Sequence, residues 1–231
     1  MITFIHDSDL HYGRNDLSPR NCKETHPEHI SNEESDFVIV TGDLTENGYD
    51  GAYFACISYG GNKNQRRALV EKYVKPIERS GKDVYLCIGN HDKGKKTLGL
   101  FRHPTITYLL RNRHGGLKYT FHKGDLKFVC CGKYPKDLGW LRKQLDPEEP
   151  TILFFHFNLE GPYSGWWTRK EKKAFNAVIQ DYNIIAILVG HHHISKISEW
   201  NGRTVISAGD EYARITYDPS IQKIANVEFR R

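Results

Sequence analysis

Six consecutive apolar residues, Ile184-Ile185-Ala186-Ile187-Leu188-Val189, run without a break into Gly190-His191-His192-His193. An apolar run of that length, stopped by a glycine, reads as a buried β-strand. In an extended backbone, residues i and i+2 point to the same side. His191 and His193 can therefore look at one point while His192 looks away and serves structure or a pocket rim. Two imidazoles converging at the carboxyl end of a strand are what a metal centre needs. A short histidine run is also compatible with a solvated loop, so the question is what stands at the ends of the other strands.

Apolar runs of the same kind recur along the chain. Residues 2–5 lead into His6-Asp7-Ser8-Asp9-Leu10-His11, and residues 36–40 into Thr41-Gly42-Asp43-Leu44-Thr45-Glu46. Residues 83–88 open into Gly89-Asn90-His91-Asp92, and residues 151–155 end at His156. Between them, helical spacing is found over 65–79, with Ala68, Leu69, Tyr73, Val74 and Ile77 on one face and Gly81 as the stop. Further helices are expected over 104–112, 135–145 and 168–181, the last with Thr168 and Glu171 as a capping box. Strands over 117–121 and 126–131 flank the hairpin signal Lys123-Gly124-Asp125. Four closing strands, over 195–200, 203–207, 212–217 and 221–229, read as an antiparallel meander. Residues 12–35 read as a loop with room for one short helix, and 47–63 as a long loop. The expectation is an α/β fold in one domain, 1–231: a two-layered β-sheet sandwich flanked by helices. Its polar clusters stand at the carboxyl ends of strands, where α/β folds form sites.

The 231 residues suit such a domain. The mean hydropathy of −0.60 and the lack of a bilayer-length apolar run exclude a transmembrane helix. Met1 leads directly into Ile2-Thr3-Phe4-Ile5, too short for a signal-peptide core, so the expectation is a soluble, cytoplasmic protein. A net charge of +5 fits an anionic substrate but falls short of the dense basic stripe of a dedicated nucleic-acid binder. The cysteines, Cys22, Cys56, Cys87, Cys130 and Cys131, are odd in number and form no C-x-x-C pair, so reduced thiols are expected.

Five strand ends thus carry metal-type side chains in the order Asp9-x-His11, Asp43, Asn90-His91, His156 and His191-x-His193. This ordered set resembles the five signature motifs of the calcineurin-like metallophosphoesterase superfamily and spans residues 9 to 193. The resemblance implies a dinuclear metal site: Asp9, His11, Asp43 and His193 on one metal, Asp43, Asn90, His156 and His191 on the other, with Asp43 bridging. It also implies that His91 is a non-ligand histidine beside the scissile phosphate, with Asp92 orienting it as carboxylates orient imidazoles. Mixed carboxylate, amide and imidazole donors suit Mn, Fe, Zn or Ni better than Mg or Ca. Two carboxylates against two divalent cations leave the site near +2, which favours an anion. Two metals about 3.5–4 Å apart can clamp a phosphoryl group, and a hydroxide bridging them would be the nucleophile.

The segment Gly42-Asp43-Leu44-Thr45-Glu46-Asn47-Gly48 is similar to the second motif of the class III cyclic-nucleotide phosphodiesterase branch. It lacks the Asp-Arg-Gly tail of the Ser/Thr protein phosphatases, and Glu46 stands where purple acid phosphatases place a tyrosine ligand. The fourth block, His156-Phe157-Asn158, departs from a pattern that often has a second His or a Pro beside the ligand. The resemblance therefore implies hydrolysis of a phosphodiester or small phosphomonoester, with a small phosphorylated substrate, a nucleotide among the candidates. Arg14 is near enough in sequence to contact phosphate, or is a solvated loop arginine. Trp166 and Trp167, with Tyr163, either line the substrate pocket or pack the start of the following helix. A nuclease of the same superfamily and a partner-binding scaffold without turnover are the alternatives; the scaffold predicts missing ligands, and every expected position is filled.

Overall fold

The central strands are apolar runs because both of their faces are covered. In Phe37-Val38-Ile39-Val40 every residue is fully buried, yet Phe37 and Ile39 enter one apolar layer and Val38 and Val40 another. The computed structural model describes residues 1–13, 23, 25–46, 48, 65–92, 106–161 and 164–231. It contains β1 (Ile2–Asp7), α1 (His26–Asn32), β2 (Phe37–Val40), α2 (Gln65–Leu69), α3 (Lys75–Arg79) and β3 (Asp83–Leu86). After these come α4 (Ile106–His114), β4 (Tyr119–Lys123), β5 (Leu126–Cys130), α5 (Leu138–Gln144), β6 (Thr151–Phe154) and α6 (Arg169–Ile179). The chain closes with β7 (Ile184–Val189), β8 (Lys196–Trp200), β9 (Arg203–Ser207), β10 (Tyr212–Asp218) and β11 (Lys223–Arg230).

One sheet has the order β11-β10-β1-β2-β3 and the other β4-β5-β6-β7-β9-β8. Phe4, Phe37, Phe128, Ile152, Phe154, Leu188 and Ile215 fill the layer between them. The outer face of the first sheet packs Ile5, Val38 and Leu86 against Ile30, Leu69, Ile77 and Leu110 of the helices. That of the second packs Val129, Leu153 and Ile187 against Leu141, Phe175 and Ile179. The expected two-layered sandwich flanked by helices is therefore the observed architecture. β1, β2 and β3 are mutually parallel, as are β5, β6, β7 and β9, so their carboxyl ends gather on one side.

Two details differ from the sequence expectation. The last four strands are not one meander: the β8–β9 pair extends the second sheet, whereas the β10–β11 pair joins β1 of the first. Alternation within a hairpin does not state which sheet edge will receive it. The helix expected over 65–79 is interrupted by a π-helical stretch, Val70–Val74, where the Lys75 N–H reaches back to the Val70 carbonyl. Pro76 has no N–H to continue the regular ladder, which accounts for the widened turn. The loop over 47–63 falls outside the described residues except for Gly48. Cys87, Cys130 and Cys131 are buried free thiols; Cys22 and Cys56 lie outside the described residues.

At the end of β1, Asp7 turns away from the strand-end cluster. Its oxygens accept from Lys23 Nζ (3.0 Å), the Ser8 N–H (2.8 Å), the Tyr73 hydroxyl (2.9 Å) and, with Nδ1 protonated, His26 (3.0 Å). Burial opposes the charge, but Lys23 and His26 outweigh it and hold the carboxyl well below the usual range.

A half-buried titratable group sets an acid limit on the fold. The Leu86 N–H at the end of edge strand β3 donates to His114 Nε2 (3.1 Å), whose ring stacks on Tyr119. Burial, helped by the charge of Arg113, depresses the His114 pKa from 6.5 to about 3, so the ring is neutral in the fold. The unfolded chain then binds more protons as pH falls, and stability drops from pH 6.5 downward. In His114→Gln, urea midpoints measured from pH 7 to pH 4 should fall less steeply than in the unsubstituted protein, by up to one proton's worth of slope.

Candidate metal centre

The loops after β1 and β2 are laced together by backbone hydrogen bonds. Asp9 N–H donates to Gly42 O (3.0 Å), His11 N–H to Asp43 O (2.9 Å), Tyr12 N–H to Leu44 O (3.1 Å) and Glu46 N–H to Tyr12 O (3.1 Å). Asp9, His11, Asp43, His191 and His193 all have left-handed backbones, with φ of 56°, 48°, 47°, 73° and 53°. Side chains rarely adopt this region, and each instance costs on the order of 1 kcal/mol or more. Glycines let the loops meet: a Cβ on Gly89 would lie 2.1 Å from Asp43 N and Oδ1, and one on Gly190 would lie 1.8 Å from Ser8 Oγ.

Three donor groups result, and the one formed by His11, Asp43 and His91 links the other two. Asp9, His11 and His193 place ligand-type atoms within 4.8 Å of one another, and Asp43, His156 and His191 do the same. In the first, His11 Nε2 and His193 Nε2 face each other at 3.3 Å, and Asp9 Oδ1 lies 3.5 Å from His193 Nε2. Asp9 Oδ1 is buried with no hydrogen-bond partner among the described residues, while Oδ2 accepts from Ser8 Oγ and from His191 N–H. In the second, His156 Nε2 lies 2.9 Å from Asn90 Oδ1 and 3.3 Å from Asp43 Oδ2. Asp43 Oδ2 also lies 3.9 Å from His11 Nε2, which ties the two groups together. A buried carboxylate oxygen without a donor, and facing imidazole nitrogens, are an arrangement that a cation satisfies and a proton shares poorly. The residues present therefore fit two metal ions, consistent with the metal-type donor set expected from the sequence.

The electrostatics agree. Burial raises the Asp43 carboxyl, but His156, His11 and His91 together take it well below its ordinary range. Burial lowers the His156 imidazole, and Asp43 overcomes this to raise it to about 9. His191, with burial as the main cause, falls to about 4 and is neutral. The remaining ring nitrogens are fixed from behind: Thr41 O lies 2.8 Å from His156 Nδ1, and Glu46 Oε2 lies 2.9 Å from His11 Nδ1. Such partners set which nitrogen of a histidine faces a metal.

Several sequence readings are corrected here. His191 and His193 do not converge on one point along an extended strand; their left-handed backbones send them to different donor groups. His192 does turn away: it is buried, with Nδ1 3.3 Å from Asn158 Nδ2, over Gly161. Asp92 does not orient His91. Its oxygens accept from Gly89 N–H, Leu44 N–H, Thr45 N–H and the Thr45 hydroxyl, so it fastens the third loop to the second. Glu46 takes the other role: His91 Nδ1 lies 3.0 Å from its carbonyl and 3.5 Å from its Oε1, leaving Nε2 4.0 Å from Asp43 Oδ2. The hydrogen bond to Glu46 is the largest cause raising the His91 pKa to about 9. The one signal for Glu46 in the sequence was its place three residues after Asp43. Trp167 is core, 2% exposed, with Nε1–H on Asn158 O, whereas Trp166 is 58% exposed beside His191. Arg14 and Tyr163 lie outside the described residues.

Comparison with known proteins gives a consistent picture. A family model described as "Calcineurin-like phosphoesterase" matches residues 2–195. The 3′,5′-cyclic adenosine monophosphate phosphodiesterase CpdA of Haemophilus influenzae is 26% identical over 189 residues, covering 76% of this chain and 61% of that protein. The match thus spans less than two-thirds of the relative's length. A dimetal phosphatase from Danio rerio superposes with a TM-score of 0.58 at 15% identity, over 93% of this chain and 94% of that one. GAP50, described as the anchor in the inner membrane complex of Plasmodium, gives 0.60 at 12%, over 99% and 88%. At these identities the likeness is one of fold. Among the described residues no helix is long and apolar enough to cross a membrane.

Glu46→Ala leaves His11 Nδ1 without its carboxylate. Loss of such a partner weakens a metal site by about 10–100-fold. Titration of metal-free protein with Mn against a chromophoric chelator should show that weakening in Glu46→Ala. Equal affinity in the two proteins would mean that His11 is held by other contacts.

Proposed function

Since this chain belongs to the calcineurin-like phosphoesterase family, we propose that it is a metal-dependent hydrolase of small phosphodiesters. The observation that carries this reading is the pair of donor groups joined through Asp43, with Asn90 on the side of His156. Asp9, His11, Asp43 and His193 would hold one divalent ion, and Asp43, Asn90, His156 and His191 the other. When bound, the two cations supply Lewis acidity at the phosphoryl oxygens and a water of lowered pKa.

The chain's own residues supply the rest. Glu46 holds the Nδ1 protons of His11 and His91, so both rings present Nε2 toward the centre. His91 has a side chain 37% exposed, open to an incoming substrate. Its raised pKa keeps a proton on Nε2 at neutral pH in the metal-free protein. With the ring held by Glu46, the Nε2–H of His91 would meet the leaving oxygen of a cleaved ester, the work of a general acid. Asp92 acts through the loops, not on the substrate. Two observations support a diester over a monoester: the second motif lacks the Asp-Arg-Gly tail, and the relative CpdA is named for a cyclic diester. The scaffold alternative has a precedent of fold in GAP50, but the filled set of donors here supports turnover.

The protein loaded with Mn should hydrolyse bis(p-nitrophenyl) phosphate in preference to p-nitrophenyl phosphate. Cyclic nucleotides and single-stranded DNA tested in the same assay separate the phosphodiesterase reading from the nuclease one. His91→Ala should lower kcat by about 10²–10⁴-fold, the usual scale of general acid catalysis, with two metals per chain retained. Full activity in that variant would remove His91 from its role. A preference for the monoester would overturn the diesterase reading, and no hydrolysis with Mn, Fe, Zn or Ni would return the scaffold.

A further inference from the structure

The two adjacent tryptophans have opposite environments. Trp167 packs on Phe155, Phe175 and Tyr134 in the core of the second sheet's outer layer. Trp166, one residue earlier, stays 58% exposed. Leaving so much indole in water forgoes the largest burial gain a side chain can make. Its position is nevertheless fixed. It ends a single 3-10 turn, Ser164–Trp166, whose first carbonyl accepts from Lys172 Nζ (2.8 Å). The turn is held from the other side by buried Trp167 and by the Thr168–Glu171 capping box of α6. One ring face lies on Phe157, with centroids 5.5 Å apart and planes at 15°. The ring also meets His191 edge-on at 5.8 Å, and His191 in turn lies 5.0 Å from His156. A rank of rings thus leads from the open surface to the donor group of Asp43, His156 and His191.

We infer that Trp166 is a specificity-determining residue whose open face stacks on an aromatic or heteroaromatic ring of the substrate. The favoured substrate class is then a phosphodiester that carries such a ring on one of its ester arms, a nucleotide being one member. The inference rests on the proposed phosphodiesterase reading, and it deepens that reading by naming the group beside the bond that is cut. Trp166 itself lies 5.8 Å from His191, so the platform would position the ester as well as choose it. The turn is anchored before the ligand arrives, so little ordering opposes stacking.

The test measures binding and turnover separately. Adenosine 5′-monophosphate and glycerol 3-phosphate carry the same phosphomonoester, and only the first has a ring. Isothermal titration of Mn-loaded protein should show Trp166→Ala weakening the adenosine monophosphate by about tenfold, the scale of base–aromatic stacking. Glycerol 3-phosphate should bind the variant unchanged, and Trp166→Phe should restore most of the lost affinity. In turnover, Trp166→Ala should raise KM for bis(p-nitrophenyl) phosphate about tenfold at constant kcat and leave an aliphatic diester, glycerophosphoethanolamine, unaffected. Equal weakening of both monophosphates, or no change in either, would overturn the inference. If the unsubstituted protein cleaved neither diester while Trp166→Ala still lost affinity for the nucleotide alone, the hydrolase reading would fall and the aromatic subsite would stand.

Discussion

A single buried carboxylate organises the strand ends. Asp43 is 1% exposed, and its Oδ1 accepts from His91 N–H (2.9 Å) of the loop after β3. Its Oδ2 faces His156 of the loop after β6, and His11 of the loop after β1. Its own carbonyl accepts from His11 N–H. Three other loops are therefore referred to one side chain. An anion taken out of water must be compensated nearby. The compensating groups are imidazoles, which can carry protons or give up a lone pair to a metal. The same need that draws the loops together leaves their nitrogens aimed inward, so the folding constraint and the metal-type site have one cause.

The cost of that arrangement is visible in the backbone. Seven non-glycine residues have positive φ among the described residues, and five of them are Asp9, His11, Asp43, His191 and His193. The other two, Asn201 and Gln222, sit in tight turns between paired strands. No apolar packing requires the strained five, for the three core clusters are built from other residues. Their compensation is the lacing of backbone bonds between the first two loops, together with the four donors gathered by Asp92.

Much of this was legible in the sequence, and the limits have physical reasons. The strand ends could be read because burial on both faces makes a strand apolar throughout, so the first polar residue marks its exit. The pairing of His191 with His193 was read from extended geometry, whereas their left-handed turns send them to different donor groups. Periodicity holds only inside regular structure, and the functional residues stand just beyond it. Glu46 took the role expected of Asp92 because sequence adjacency does not tell which way a short carboxylate turns. In a tight loop the nearest unpaired backbone N–H groups capture it, as those of Gly89, Leu44 and Thr45 capture Asp92. Glu46, one methylene longer and on the neighbouring loop, reaches two imidazoles. The placement of the last two hairpins in different sheets was hidden for a related reason: cross-strand alternation is local, and the choice of sheet edge is not.

The fold by itself does not decide between a catalyst and an anchor, since a dimetal phosphatase and GAP50 both share it. What separates the two possibilities is the energetic logic of the strand ends. A scaffold of this architecture would gain stability by placing glycine or asparagine at the left-handed positions and by burying Trp166 as it buries Trp167. This chain holds histidine and aspartate at strained positions and keeps an indole in water beside them. Both departures lie on the same side of the molecule, around the same donor atoms, and neither improves packing. Departures from local stability that coincide in space are what the proposed centre, holding cations and receiving an anionic, ring-bearing ligand, would require.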